Sequence, residues 1–283
     1  MNMKYFEDAF KFATKNYLIL IPIFIATLVP ALLIIGATPT VADLQAIVQD
    51  FQQYPDYFIS NPDAFFDAFQ TAGIGNSASS SAISTILNFM AIPMTAGLIK
   101  LGLNKGSVSV NDFAVALGSN IGKYLRYFLA TILFGILIAI AVVLYFVFLI
   151  PTSISMQESG IFMFIIGVLI LSVFGVLIAI FLSFWFGAMV LDDLGVMAAL
   201  KKSFTVTRRC FWTLVGIGLL LAIAEGVVSG FAGLFAFVPL LPTVLKTAVS
   251  AFAAVVHMTF LFMIYRSYQP SLIADDEEVN MIY

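Results

Sequence analysis

Two ionisable residues, Glu225 and His257, lie inside otherwise apolar stretches of the sequence. The motif PLLP at 239–242 predicts a tight turn between them, and position 241 is midway, so an antiparallel hairpin would place both at a similar depth. An ionised carboxylate near the middle of a bilayer costs about 2.5 kcal/mol or more unless it is paired or hydrated. The pair could therefore titrate a proton or bind substrate in a transport pathway, or form a hydrogen bond that orders a neutral hairpin. Gly226 and Gly230 beside it predict a close approach of two helices.

A second concentration of charge is the stretch Val190–Trp212, VLDDLGVMAALKKSFTVTRRCFW. Two aspartates precede a predicted amphipathic helix and basic residues end it, an order that complements the helix dipole. We expect this helix to lie along the membrane surface, with Met197, Leu200 and Phe204 facing the lipid. The basic residues are then candidate contacts for anionic lipid headgroups. They are Lys201, Lys202, Arg208 and Arg209.

Catalytic and metal chemistry have weak support in the sequence. The single histidine excludes a multi-histidine metal site. Asp192-Asp193 is a poor magnesium site without further oxygen ligands, and the metalloprotease, P-loop and GxSxG motifs are absent. Cys210, beside basic residues, could have a lowered thiol pKa, although a lone cysteine at a membrane boundary is more often inert. We therefore assign no catalytic residue, no metal ligand and no cofactor.

The chain that must position these residues is extremely apolar. Of its 283 residues, 61% are hydrophobic and 10% are charged, whereas soluble domains carry roughly a quarter charged residues. Its apolar runs can cross about 30 Å of hydrocarbon as helices, and they do not alternate as barrel strands do. The sequence predicts an all-α integral membrane protein with one membrane domain, 1–283. Its six predicted spans are about 17–37, 83–103, 124–150, 161–191, 211–237 and 244–265.

Basic residues predict the orientation. Twelve of the thirteen lysines and arginines fall on one side of the spans, and Lys246 falls on the other. The positive-inside rule makes the basic side cytoplasmic, so both termini are expected inside. We expect a multi-pass protein of the cytoplasmic (plasma) membrane of a prokaryote.

Segments outside the spans are acidic or interrupted. Segment 38–82 has five aspartates and no lysine or arginine, which predicts an external helical cap or, alternatively, a lid or docking surface. Its end, 73–81, is rich in glycine and serine and is predicted to be flexible. Segment 266–283 is predicted to be an acidic cytoplasmic tail. Pro22, Pro30 and Pro93 could either break spans 1 and 2 to form a substrate site or merely kink them.

The pieces that precede the first, third and fifth spans resemble one another. They read EDAFKFATKNYLIL (7–20), NDFAVALGSNIGKYLRYFL (111–129) and GVMAALKKSFTVTRRCFWTLV (195–215). Each is a short amphipathic stretch, then polar or basic residues, then an aromatic residue that begins a span. This pattern suggests three repeated helical hairpins, each preceded by an interfacial amphipathic helix.

The stretch Phe186–Val215 also resembles a signature of uncharacterised bacterial and archaeal polytopic membrane proteins. That family is related to the membrane domain of some glycerophosphodiester phosphodiesterases. Its pattern is an aromatic-rich span end, an acidic turn, an Ala-Leu-Lys-Lys-Ser-aromatic helix, and then basic residues and a tryptophan. The resemblance implies about six spans. The catalytic phosphodiesterase barrel is absent from this sequence, so that activity is not implied.

Three functional hypotheses follow. The favoured one is a non-enzymatic membrane component that assists envelope or lipid processes. The second is a transporter or flippase of a small or amphiphilic substrate that uses Glu225 and His257, and a cavity reaching both residues would favour it. The third is a lipid-modifying enzyme, which requires a carboxylate cluster at the cytoplasmic face. Membrane lipids are the expected partners and nucleic acid is not, while substrate, protein partners and oligomeric state stay open.

Overall fold

The computed structural model describes residues 3–34, 49, 50, 53, 54, 57, 61, 74–155, 158–235, 238 and 240–280. All secondary structure in this part of the chain is helical, which confirms the all-α prediction. The described α-helices are α1 (Met3–Lys15), α2 (Leu20–Ile34), α3 (Ile74–Lys105), α4 (Asp112–Ser155), α5 (Glu158–Leu182), α6 (Trp185–Leu191), α7 (Val196–Gly233) and α8 (Leu241–Asn280). A 3-10 turn, Tyr17–Ile19, joins α1 to α2. Most of the predicted cap, 38–82, lies outside the described residues.

Five described segments are long and apolar enough to cross a membrane. They are Ala82–Lys105, Asp112–Val147, Ile165–Leu191, Val196–Ala232 and Leu241–Tyr268. A sixth results if α1 and α2, which bend by 88° where they join, are counted as one span. The lengths and compositions of these helices therefore identify a membrane protein with five or six apolar segments.

Three local details refine the predicted elements. The glycine- and serine-rich stretch at 73–81 is helical from Ile74, so the prediction of a flexible return is wrong. α2 and α3 continue through Pro30 and Pro93 without a break, which agrees with the simpler interpretation of the prolines. The predicted fourth span, 161–191, is divided, because α5 ends at Leu182 and a turn precedes α6.

The three predicted interfacial elbows differ from one another. In the first, the chain bends by 88° between α1 and α2. In the third, α7 is kinked at Cys210, whose backbone is not helical (φ −121°, ψ 17°). The Cys210 thiol donates at 3.2 Å to the carbonyl of Val206, which is the acceptor its own N–H would use in a regular helix. The second elbow prediction is wrong, since α4 runs from Asp112 to Ser155 without a break.

α4 continues as one helix because its first turns pack against α3. Ala116, Asn120 and Tyr124, spaced four residues apart, form one buried face. A Cβ added to Gly97 of α3 would lie 2.6 Å from both the carbonyl oxygen of Ala116 and Nδ2 of Asn120. The two helices therefore cross so closely that a residue without a side chain is needed at Gly97. Packing on α3, rather than on the membrane surface, sets the course of this segment.

The packed core lies at the end of the bundle where α3, α4 and α8 bring their cations together. There the six residues Trp185–Val190 of α6 are all buried. In the apolar stretch of α4 no residue is buried, and in that of Ile165–Leu191 only 6% of the residues are buried. In the apolar stretches of α3 and α8 the buried share is 39%. The α4–α5 hairpin thus exposes an apolar surface that is compatible with a hydrocarbon environment rather than with water.

Candidate functional site

The acidic turn, which we define as Asp192–Asp193, connects α6 to α7. Asp193 has a positive φ of 56°, a conformation that aspartate tolerates better than most residues. Its carboxylate accepts hydrogen bonds from the ammonium groups of Lys123 and, at 3.5 Å, Lys100. The hydrogen bond from Lys123, together with the charges of both lysines, lowers the pKa of Asp193 below its ordinary value.

Two further hydrogen bonds join this region to its neighbours. Lys100 Nζ donates at 2.5 Å to the carbonyl oxygen of Val190, in the last turn of α6. The hydroxyl of Tyr265 on α8 donates at 2.5 Å to Oδ2 of Asp192. A cation at the final carbonyls of a helix satisfies free acceptors and complements the helix dipole. The acidic turn therefore ties α3, α4 and α8 to the α6–α7 connection.

The acidic turn holds neighbouring helices together through ion pairs and hydrogen bonds. Both of its carboxylates accept hydrogen bonds from protein side chains. Within the described ranges, no group of three or more His, Cys, Asp or Glu side chains could hold a metal ion. The carboxylate cluster that the enzyme hypothesis requires is not found among these residues.

The basic elbow, which we define as Val196–Trp212, is attached to the bundle by small and hydroxyl-bearing residues. Ala199, Ser203 and Thr207 are fully buried and share one face of the helix. Ser203 donates to the carbonyl oxygen of Phe181 at 2.7 Å. The ring of Phe204 stacks on that of Phe181, with centroids 5.1 Å apart. Phe204 thus packs partly on protein, where the sequence predicts contact with lipid.

The four candidate headgroup contacts lie on the outer surface of the basic elbow. Lys201, Arg208 and Arg209 are exposed, and Lys202 is half-buried. The side-chain cations of Lys201, Lys202 and Arg208 form no hydrogen bond or ion pair with any residue that the structure describes. Lys201 and Arg208, spaced seven residues apart, share one face of the helix before the kink at Cys210. Trp212, which follows the kink, is 80% exposed. The elbow therefore presents two cations on one face and an exposed tryptophan just beyond the kink.

Glu225 and His257 are not joined in the structure by a hydrogen bond or an ion pair. Glu225 is partly buried on α7, whereas His257 lines a cavity whose described wall does not include Glu225. A Cβ added to Gly226 or Gly230 would meet nothing within 4 Å, so the predicted close helix approach there is wrong. A proton-coupling or structural role of the pair stays a prediction.

The cavity beside His257 has a volume of about 500 Å³ and lies between α3, α4, α6 and α8. Five aromatic residues in its wall are Tyr124, Tyr127, Phe128, Phe186 and Phe262. Thr131, Ser183 and His257 add polar groups, and none of the described lining residues is Asp, Glu, Lys or Arg. A concave apolar wall with a few polar groups is typical of a small-molecule site.

Sequence reasoning found His257 and missed the aromatic part of this cavity. The signal was present on α4, where Tyr124, Tyr127 and Phe128 are spaced i, i+3, i+4 and so lie on one face. An aromatic face at the end of an apolar run is also typical of the aromatic belt at a membrane–water interface, so this pattern alone does not predict a cavity. The residues that α6 and α8 contribute to the cavity wall could be identified only from the fold.

The family model of a domain of unknown function (DUF7847) matches residues 3–268. The chain belongs to this family. No curated protein and no solved structure matches the chain. The matched range contains the acidic turn, the basic elbow and the cavity, so the family extends over all the elements that form them. The resemblance to the membrane domain of glycerophosphodiester phosphodiesterases stays a prediction.

Proposed function

We propose that the protein is a non-enzymatic, lipid-associated membrane component whose basic elbow binds anionic lipid headgroups. One observation carries this proposal. Lys201 and Arg208 are exposed on one helix face, neither side-chain cation has a partner among the described residues, and Trp212 just beyond the kink is 80% exposed.

The contrast with nearby cations supports the proposal. Lys100 and Lys123, whose side chains are mostly buried, share an ion pair with the carboxylate of Asp193. Lys201, Lys202 and Arg208 of the basic elbow have no such side-chain partner among the described residues and are available to an external anion. Each lysine or arginine near an anionic leaflet gains about 1 kcal/mol, and tryptophan prefers the headgroup region because its ring is amphipathic.

The proposal includes a finer topology. We place six spans in the cytoplasmic membrane of a prokaryote, with both termini and the basic elbow inside. Support comes from the shared end of the bundle, where Arg266 donates to Asn104 at 2.7 Å and the two lysines reach Asp193. The positive-inside rule makes this end cytoplasmic.

Lipid selectivity tests the proposal. The protein is reconstituted in nanodiscs with spin-labelled phosphatidylglycerol or phosphatidylcholine, and electron paramagnetic resonance gives the immobilised fraction of each lipid. We expect preference for the anionic lipid. The Lys201→Gln, Lys202→Gln, Arg208→Gln triple variant should reduce this preference at least about fivefold, since the three cations together contribute about 1 kcal/mol or more.

Lys246→Gln is the matched control. Lys246 is an exposed lysine near the start of α8, far along this helix from Arg266, so its substitution should leave the lipid preference unchanged. Raising the salt concentration to about 1 M shortens the Debye length to about 3 Å and should weaken the preference of the unmodified protein. Equal preference in the unmodified protein and the triple variant would contradict the proposal.

A transporter or flippase is the second candidate, and the cavity beside His257 favours it. The described wall of that cavity contains His257 but not Glu225, so only one of the two residues named in this hypothesis lines the cavity. Fluorescent lipid should then cross reconstituted vesicles faster than protein-free vesicles. Equal rates would exclude this candidate.

A further inference from the structure

The cavity between α3, α4, α6 and α8 extends from Tyr124, next to the Lys123 that pairs with the acidic turn, into the apolar segments. Thr131 on α4 and Ala254 on α8 are exposed at its rim, and both belong to membrane-compatible segments. His257 lies eight residues from Tyr265, which contacts the acidic turn. Eight residues span about 12 Å of helix, so the His257 end of the cavity lies well inside a hydrocarbon layer of about 30 Å, whereas Tyr124 marks the end nearer the charged surface. Its opening faces the lipid.

Thr131 and Ser183 in this wall donate hydrogen bonds to main-chain carbonyl oxygens. Two other polar groups, the hydroxyl of Tyr124 and the imidazole of His257, have no hydrogen bond to a residue that the structure describes. In hydrocarbon, a polar group without a partner is costly because no water can replace it. A ligand that supplies acceptor oxygens would remove this cost.

The same environment restricts the ligand's charge. None of the described lining residues is Asp, Glu, Lys or Arg, so a phosphate or carboxylate head would be desolvated without a counter-charge. The hydrocarbon tail of a lipid gains little by leaving other tails, because the bilayer is as apolar as the wall. Affinity must therefore come from a neutral polar head and its packing.

The aromatic wall favours a flat head. The rings of Tyr124 and Phe186 meet edge to face with centroids 5.2 Å apart, and Phe128 lies beside Tyr124. Aromatic side chains gain energy from stacked or edge-on contact with another ring. The volume of about 500 Å³ falls within the roughly 300–1,000 Å³ of small-molecule sites.

We propose that this cavity binds a neutral membrane amphiphile with a planar, carbonyl-bearing head and a hydrocarbon tail, of the quinone type. The ligand enters from the lipid past Thr131 and Ala254. Its carbonyl oxygens accept hydrogen bonds from the Tyr124 hydroxyl and the His257 imidazole. This site is separate from the basic elbow and does not depend on headgroup binding there.

Tryptophan fluorescence tests the proposal, because a quinone quenches the emission of an indole that lies within a short distance of it. Trp185 is buried next to the cavity, with its ring centroid 5.1 Å from that of Tyr127. The chain has two tryptophans, so Trp212→Phe leaves Trp185 as the reporter. A benzoquinone with a decyl tail is titrated into nanodiscs that contain this variant, and we expect saturable quenching.

Two added substitutions locate the binding. Ala254→Phe should fill the exposed rim and weaken apparent binding about tenfold or more, whereas Ala222→Phe, at an exposed alanine of α7 outside the cavity wall, should change it less than twofold. Tyr124→Phe keeps the ring and removes the donor, and it should weaken binding about three- to tenfold. Circular dichroism confirms that each variant is folded.

Two results would overturn the proposal. Quenching that does not saturate, or that is equal in the Ala254→Phe and Ala222→Phe variants, would mean that the quinone only partitions into the bilayer. Displacement of the quinone by an equal concentration of a fatty acid with the same tail would mean that the site accepts a charged head. Saturable quenching that the fatty acid leaves intact supports the neutral class.

Discussion

The crossing of α3 and α4 at Gly97 provides the sharpest test of the packing. In Gly97→Ala, the new Cβ would lie 2.6 Å from the carbonyl oxygen of Ala116 and 2.8 Å from its Cα. These are backbone atoms, so the helices must separate to accept the methyl group. Overpacking of this kind costs about 1–3 kcal/mol.

Gly226→Ala is the matched control, because the added methyl group meets nothing within 4 Å. Both substitutions gain helix propensity, about 1 kcal/mol in the interior of a helix. We therefore expect Gly226→Ala to stabilise the protein by up to about 1 kcal/mol. Gly97→Ala should be less stable than Gly226→Ala by about 1–3 kcal/mol, a difference that isolates the steric term.

The assay is reversible unfolding by SDS in mixed micelles, followed by circular dichroism at several SDS concentrations. The free energy of unfolding of each variant is compared with that of the unmodified protein. If both variants are stabilised equally, α3 and α4 do not cross closely at Gly97. If Gly226→Ala is the more destabilised, the close approach lies on α7, as the sequence predicts.

Two further predictions concern the acidic turn. Tyr265→Phe removes the hydrogen bond to the Asp192 carboxylate and should lower the free energy of unfolding by about 1.5–3 kcal/mol, whereas Tyr145→Phe should change it little; equal effects would contradict the contact. The lowered pKa of Asp193 predicts that its contribution to stability is complete above its unfolded-state pKa of about 4 and is lost as the pH falls through the folded-state value. Asp193→Asn should remove this part of the pH dependence, and an unchanged profile would show that Lys123 does not stabilise the carboxylate.

Helix class and approximate span positions could be predicted because they depend on local composition. The run Ile83–Leu103 is apolar enough to partition into hydrocarbon wherever the rest of the chain lies, and Ala82–Lys105 matches it closely. Breaks were harder to predict. The 88° bend after α1 and the uninterrupted α4 follow similar sequence patterns, and packing of Ala116 against Gly97 distinguishes the second.

The candidate sites show the same division. Counting residues from the turn at 239–242 predicts a depth for Glu225 and His257, but it does not predict which way each side chain points. That direction depends on the rotation of α7 and α8 about their axes, which neighbouring helices decide. His257 consequently faces a cavity with α3, α4 and α6, and Glu225 is not part of the described wall.

The sequence by itself determined that this chain is an α-helical membrane protein with its cations concentrated at one end. The physical reason is partitioning between hydrocarbon and water. An apolar run prefers hydrocarbon and a cation prefers water, whatever contacts each makes with distant parts of the chain. Only the tertiary structure decided that Asp193 pairs with Lys100 and Lys123, 93 and 70 residues away. The same pairing separates these partly buried lysines from Lys201 and Arg208, which are exposed and have no side-chain partner among the described residues, since a partly buried charge needs a partner more than a charge in full contact with solvent does.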